Sequence, residues 1–318
     1  MSIQTRAALV LVLLALGLGP VAGVALGAEQ DQAAQMRHAA QHKDTASVER
    51  LLNEGVDVNA GNELGKTALM MAVEADDLQT TALLLTRGAD VNARDKSGLT
   101  ALTFAAENGH IGITALLLQL GADVHARTRD GWDSLMIASR YGIADMVEQL
   151  LYSHADPKAS DKRQRTALMY AAEMGHVPVI DLLAKGGADL NARDKGGATA
   201  LHIAVDKGQT EVVEALVALG ADLNAVDSEG GSVLAYAVTG GDAGTADMLL
   251  GRGADPNLQC CRGRTALMEA IRSGHGDLVP LLLKHKADPA LKDAQGRTAA
   301  DWADKRADER AAAALRSR

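Results

Sequence analysis

The chain repeats itself every 33 residues, through eight consecutive slots, with no insertion or deletion. Thr67, Thr100, Thr166, Thr199, Thr265 and Thr298 fall on one grid, with Asp133 and Ser232 in the two slots between. A glycine keeps the same beat at Gly88, Gly121, Gly187, Gly220 and Gly253; Gly55 anticipates it, and His154 and Lys286 fill the remaining slots. A fixed period of this length restricts the fold to a solenoid, in which each copy buries its apolar face on the next.

The stretch from Arg94 to Ala126 shows what one copy builds. Thr100 stands at a helix cap position, where its hydroxyl can accept from an otherwise unpaired amide. A short helix follows through Leu102 and Phe104 to the small pair Ala105-Ala106, which lets a neighbouring helix approach closely. Asn108-Gly109-His110 breaks the chain, since glycine takes a positive φ without a Cβ penalty. Ile113, Leu116, Leu117 and Leu120 then have the i, i+3, i+4, i+7 spacing of one apolar helix face. Gly121-Ala122-Asp123 stops that helix, and a turn-rich link through Thr128, Arg129, Asp130 and Gly131 leads to the next copy. With the fragments T-A-L-x-x-A, G-H and G-A-D-x-N-A, this plan resembles the ankyrin repeat over roughly residues 30–312. The resemblance implies an all-α solenoid of about nine helix-turn-helix units with projecting turns. It also implies a role in binding partners, although the family binds partners of many unrelated kinds.

Residues 1–28 stand outside the repeat. Arg6 precedes the apolar run Ala7–Leu18, Gly19-Pro20 breaks it, and Ala25-Leu26-Gly27-Ala28 gives small residues before Glu29. A charged start, a short apolar core and a small-residue exit read as a cleavable secretory signal peptide. The other reading is an uncleaved anchor, because Ala7 to Ala28 could just span a bilayer. The glycines and proline inside the run, with no basic stop after it, favour cleavage and no membrane insertion of the mature chain. The expected location is the periplasm of a bacterium, or outside the cell. Residues 29–60 then form an N-terminal capping repeat with a polar first helix. Seven full repeats follow at 61–93, 94–126, 127–159, 160–192, 193–225, 226–258 and 259–291. Residues 292–318 make a truncated C-terminal cap and tail.

The formal net charge is −9, and one unit more negative once Arg6 leaves with the signal. An acidic surface of this kind argues against general nucleic-acid binding, whose phosphates require a basic one. It argues equally against adhesion to anionic lipid. No G-x-S-x-G, H-E-x-x-H or phosphate-loop pattern occurs. The aspartates at Asp90, Asp123, Asp156, Asp189, Asp222, Asp255 and Asp288 recur because their loop recurs. His110, His176 and His275 share the turn between the two helices, in separate layers about 10 Å or more apart, which is too far to share a zinc ion. They read as structural caps. His38 and His42 are i, i+4 with no third ligand evident, and His202 reads as a structural hydrogen bonder. The expectation is therefore a non-enzymatic monomer with no cofactor and no metal.

Two features remain for function. Cys260-Cys261 takes a turn slot that holds aspartate in most copies. Adjacent Cα atoms lie about 3.8 Å apart, closer than an ordinary disulfide prefers. In an oxidising compartment the pair could form a strained, easily reduced ring, bridge to another chain, or carry an oxidised thiol. A redox or oxidative-stress role for Cys260 and Cys261 is the alternative reading of the protein. The leading one rests on where the copies disagree. In ankyrin repeats the turn residues and the pair after Ala-Ala of the first helix project onto the concave side. The fourth and fifth units put Arg129, Trp132, Arg140, Tyr141, Lys162, Arg163, Arg165 and Met174 there, with Asp130 and Glu173. Trp, Tyr and Arg dominate interface energetics. These residues are the expected docking site for another protein with an acidic surface, such as an envelope enzyme to be inhibited, protected or localised.

Overall fold

A computed structural model of the chain describes residues 31–259 and 262–316, and the signal segment and Cys260-Cys261 lie outside these described residues. The described chain is all helix and turn. A first helix, α1, covers residues 31–41. The rest run in pairs of a first and a second helix: α2 Thr45–Asn53, then α3 Ala68–Glu74 with α4 Leu78–Thr86 and α5 Ala101–Asn108 with α6 Ile111–Gln119. After these come α7 Ser134–Tyr141 with α8 Ala144–Tyr152, α9 Ala167–Met174 with α10 Val177–Lys185, and α11 Ala200–Asp206 with α12 Thr210–Ala218. The last pairs are α13 Val233–Thr239 with α14 Ala243–Gly251, α15 Ala266–Ser273 with α16 Val279–Lys284, and α17 Ala299–Arg306 with α18 Glu309–Arg316. The chain divides into two compact bodies, Met1–Arg129 and Asp130–Arg318. In the first, α3 packs on α5 and α4 on α6; in the second, α7, α9, α11, α13, α15 and α17 pack in series.

Seven of the eight marker residues do what their chemistry allows, and Thr265 makes no side-chain cap bond. The Thr67 and Thr166 side chains accept the amides of Met70 and Met169, each at 3.4 Å. The substituted slots keep the bond: Met136 N donates to Asp133 Oδ1 at 2.9 Å and Ala235 N to Ser232 Oγ at 3.1 Å. Thr, Ser and Asp are interchangeable here because each offers one oxygen to an N-terminal amide. Gly109 closes α5 in the left-handed region at φ 77°. The apolar face expected of α6 is narrower than its spacing suggests. Ile113 and Leu117 are buried with Thr114, whereas Leu120 is 49 % exposed. Leu120 is the residue that ends the helix, so it has already turned away from the neighbouring layer.

Where Asn follows the recurrent Ala-Asp by two residues, it ties one repeat to the next. Asn191 Oδ1 accepts Asp222 N at 2.9 Å, Asn224 Oδ1 accepts Asp255 N at 2.8 Å, and Asn257 Oδ1 accepts Asp288 N at 2.7 Å. The repeated aspartate itself caps its own loop, as in Asp189 Oδ1 accepting Asn191 N at 2.9 Å. Lys158 occupies the Asn position in its repeat and has no acceptor to offer.

The interhelix histidines are structural in another way than as caps. His110 and His176 head α6 and α10, yet neither side chain caps its own helix. His176 Nε2 instead bonds the Arg140 carbonyl of the preceding repeat at 3.0 Å, and His110 Nδ1 lies 3.3 Å from Asp76. Gly142 beneath His176 has no room for a side chain, because a Cβ there would meet the ring at 2.6 Å.

Candidate functional site

Three projecting turns of the second body, those of Asp161, Asp227 and Asp293, are each wound around that aspartate and held by a ring. Asp161 Oδ1 accepts the amides of Arg163 at 2.7 Å and Arg165 at 2.8 Å, and Asp227 and Asp293 do the same for their own turns. The other oxygen is taken by a ring on the following helix. Tyr170 donates its hydroxyl to Asp161 Oδ2 at 2.6 Å, Tyr236 to Asp227 Oδ2 at 2.7 Å, and the Trp302 indole N–H to Asp293 Oδ2 at 3.0 Å. Burial, and then the bond to the aspartate, push both tyrosine hydroxyls well above the usual phenol range. Burial pushes the Asp293 carboxyl up, but bonds from Arg297, Trp302 and Gln295 outweigh it and hold the group far below the usual carboxylate range. The aromatic clamps the turn to the helix face, so the turn tips are held in place.

Seven of the eight expected docking residues lie in the second body, on two adjacent repeats; Arg129 ends the first body, where its amide donates to the Ser97 carbonyl at 2.8 Å. Trp132 and Tyr170 contact ring to ring at 4.2 Å between centroids, tilted 42°. Arg140 lies over the Trp132 ring at 5.6 Å. Arg165 lies over the Tyr170 ring at 4.4 Å and pairs with Glu173 at 2.9 Å, with only 15 % of its side chain exposed. Its charge is therefore largely turned inward, and it acts as a support for Tyr170. Lys162 and Arg163 are exposed at the turn tip beside this stack, and Tyr141 and Met174 are exposed at the ends of α7 and α9. Asp130, Trp132, Asp161, Lys162, Arg163 and Tyr170 line a groove of about 350 Å³. A second groove of about 380 Å³ continues past Arg163 to Lys195 and Lys207.

Three residues of this site, in two parts, were not among the expected ones. Tyr170 is its floor, and Asp161 its anchor. Gln164 is the other: it sits at φ 60°, in a slot that holds Gly65, Gly98, Gly131, Gly197, Gly230, Gly263 and Gly296 elsewhere. A side chain in that conformation costs about 1–2 kcal/mol relative to glycine. A signal for the aromatics was present in the spacing. Phe104, Tyr170, Tyr236 and Trp302 are 66 residues apart, one in every second repeat, and the three that can donate each follow an aspartate by nine residues.

Among the described residues, no group of three or more His, Cys, Asp or Glu is placed to hold a metal ion, and no helix is long and apolar enough to cross a membrane. His38 and His42 stack on each other at 4.1 Å. A family model described as ankyrin repeats matches the chain in three copies, over residues 36–128, 135–227 and 234–315. No curated protein matches it.

Proposed function

The chain belongs to the ankyrin-repeat family, whose repeats mediate protein–protein interaction, and from that premise we propose that it is a non-enzymatic module that docks a partner protein on the Trp132–Tyr170 stack. The observation that carries this reading is the stack itself. A tryptophan rests on a tyrosine whose hydroxyl is already bonded, beside a turn tip carrying two exposed cations, on a chain of net charge −9. Aromatic faces bordered by arginine are the side-chain set that gives interfaces most of their energy. The exposed Lys162 and Arg163, with Lys195 along the adjoining groove, fit an acidic segment of the partner. Gln164 adds support, because a strained residue kept where glycine would relax the turn is a mark of binding sites.

The signal read over residues 1–28 would deliver the module, as a monomer, to the bacterial envelope or beyond it. There it would inhibit, protect or localise an envelope enzyme. The test is affinity capture from a periplasmic extract of the native host, with the chain from Glu29 onward as bait. Trp132→Ala is expected to lose the partner while the chain stays folded with a melting temperature lowered by a few degrees, the aromatic pair contributing about 1 kcal/mol beyond the area that it buries. The same proteins on both baits would remove Trp132 from the site, and a collapse in stability would make it a packing residue.

A further inference from the structure

On the inner face of α15, Glu269 is buried with 2 % of its surface exposed. The equivalent slot in the other repeats holds Met71, Phe104, Ile137, Tyr170, Ile203, Tyr236 and Trp302. A carboxylate in an apolar slot costs several kcal/mol of desolvation unless paired, and here two arginines pair it. Arg264 bonds Glu269 Oε1 through its Nε, and Arg272 bonds Oε2 through its Nε at 2.6 Å. Among the described residues, neither guanidinium makes another hydrogen bond through its Nη atoms. Both line a groove of about 440 Å³ with Tyr236, and 41 % of the Arg272 side chain is exposed. Apolar residues of similar volume would serve stability as well as such a triad does, so its arrangement calls for another use.

We propose that Arg264 and Arg272, held side by side by Glu269, are a receptor for one carboxylate on a partner polypeptide, separate from the Trp132 site. The triad carries two positive charges and one negative, which leaves it one positive charge for a ligand. Planar guanidinium edges match a carboxylate in a two-bond fork. The same groove is lined by Asp206, Asp227 and Glu229. Asp227 is bonded to Tyr236, and Asp206 is paired with Lys207 at 3.0 Å, yet with Glu229 these carboxylates outnumber the triad's one spare charge, so the groove opposes a bare anion, a dianion most, and favours a carboxylate flanked by cations. The site therefore selects a single acidic side chain with basic neighbours, and rejects phosphate.

The test follows the side-chain Nε–H signals of Arg264 and Arg272 by NMR in the chain from Glu29 onward. The probes are a blocked Lys-Ala-Glu-Ala-Lys peptide and its glutamine and phosphoserine counterparts. The glutamate peptide is expected to shift both signals saturably, with the glutamine peptide at least tenfold weaker. Arg272→Ala is expected to weaken the glutamate peptide at least tenfold, and Arg252→Ala, outside the triad, to leave it unchanged. Absence of saturable shifts, or equal binding of the glutamine peptide, would overturn the receptor. Equal or tighter binding of the phosphoserine peptide would overturn its preference for carboxylate. The comparison of peptides on the unaltered protein stands whether or not Arg272→Ala folds.

Discussion

His202 shows how one residue couples this array to its solvent. It is fully buried, with Nδ1 against the Thr199 hydroxyl at 2.9 Å and Nε2 against the Gly231 carbonyl of the next repeat at 3.1 Å. Burial pushes its pKa below that of free imidazole. The unfolded chain therefore takes up the proton first. The stability that the neutral ring confers is complete above about pH 6.5, the free value, and is lost as pH falls below it. Urea midpoints at pH 7.5 and 5.5 should drop more for the wild-type chain than for His202→Gln; equal drops would mean that the ring does not set the acid sensitivity. The same scale explains what could be read in advance. A cap such as Thr100 was legible because one oxygen and one amide three residues away settle its role. His176 was legible only as structural, since its partner, the Arg140 carbonyl, is 36 residues away and nothing local points to it.

At the scale of the turn and helix pair, stability is carried by bonds that cross from one repeat to the next. Asn191, Asn224 and Asn257 make this bond in the second body, and Lys158 has no group that can. Lys158→Asn is expected to stabilise the protein by about 1 kcal/mol, the usual net value of one hydrogen bond, read as a raised urea midpoint. An unchanged midpoint would mean that the bond only replaces one to water. Turn and helix are also coupled within a repeat. The residue before the cap reaches over the helix to the slot four beyond it, as Arg165 does to Tyr170, Arg297 to Trp302 and Arg264 to Glu269. The helices, glycine stops and projecting turns of the fold were legible because each depends on local chemistry. The inward pull on Arg165 was not, because a projecting slot in the repeat pattern does not reveal that Glu173 and Tyr170 capture its side chain.

Within each of the two bodies, contacts link each repeat mainly to its neighbours, so the effect of a substitution stays close to where it is made. Yet the repeats are not equivalent. The inner-helix slot reads Met71, Phe104, Ile137, Tyr170, Ile203, Tyr236, Glu269, Trp302, a ring in every second place. The array therefore has odd and even members, and its length is a matter of parity. Excising residues 199–231, one period, would put Tyr170 and Tyr236 on neighbouring inner helices, where each now has an isoleucine between. Excising residues 166–231, two periods, would leave Ile137 beside Tyr236 and join the Asp161 turn to a tyrosine nine residues on, as it is now. The shorter protein should melt closer to the full-length chain than the longer one does. A simple fall in melting temperature with each period removed would show instead that the repeats can be counted singly.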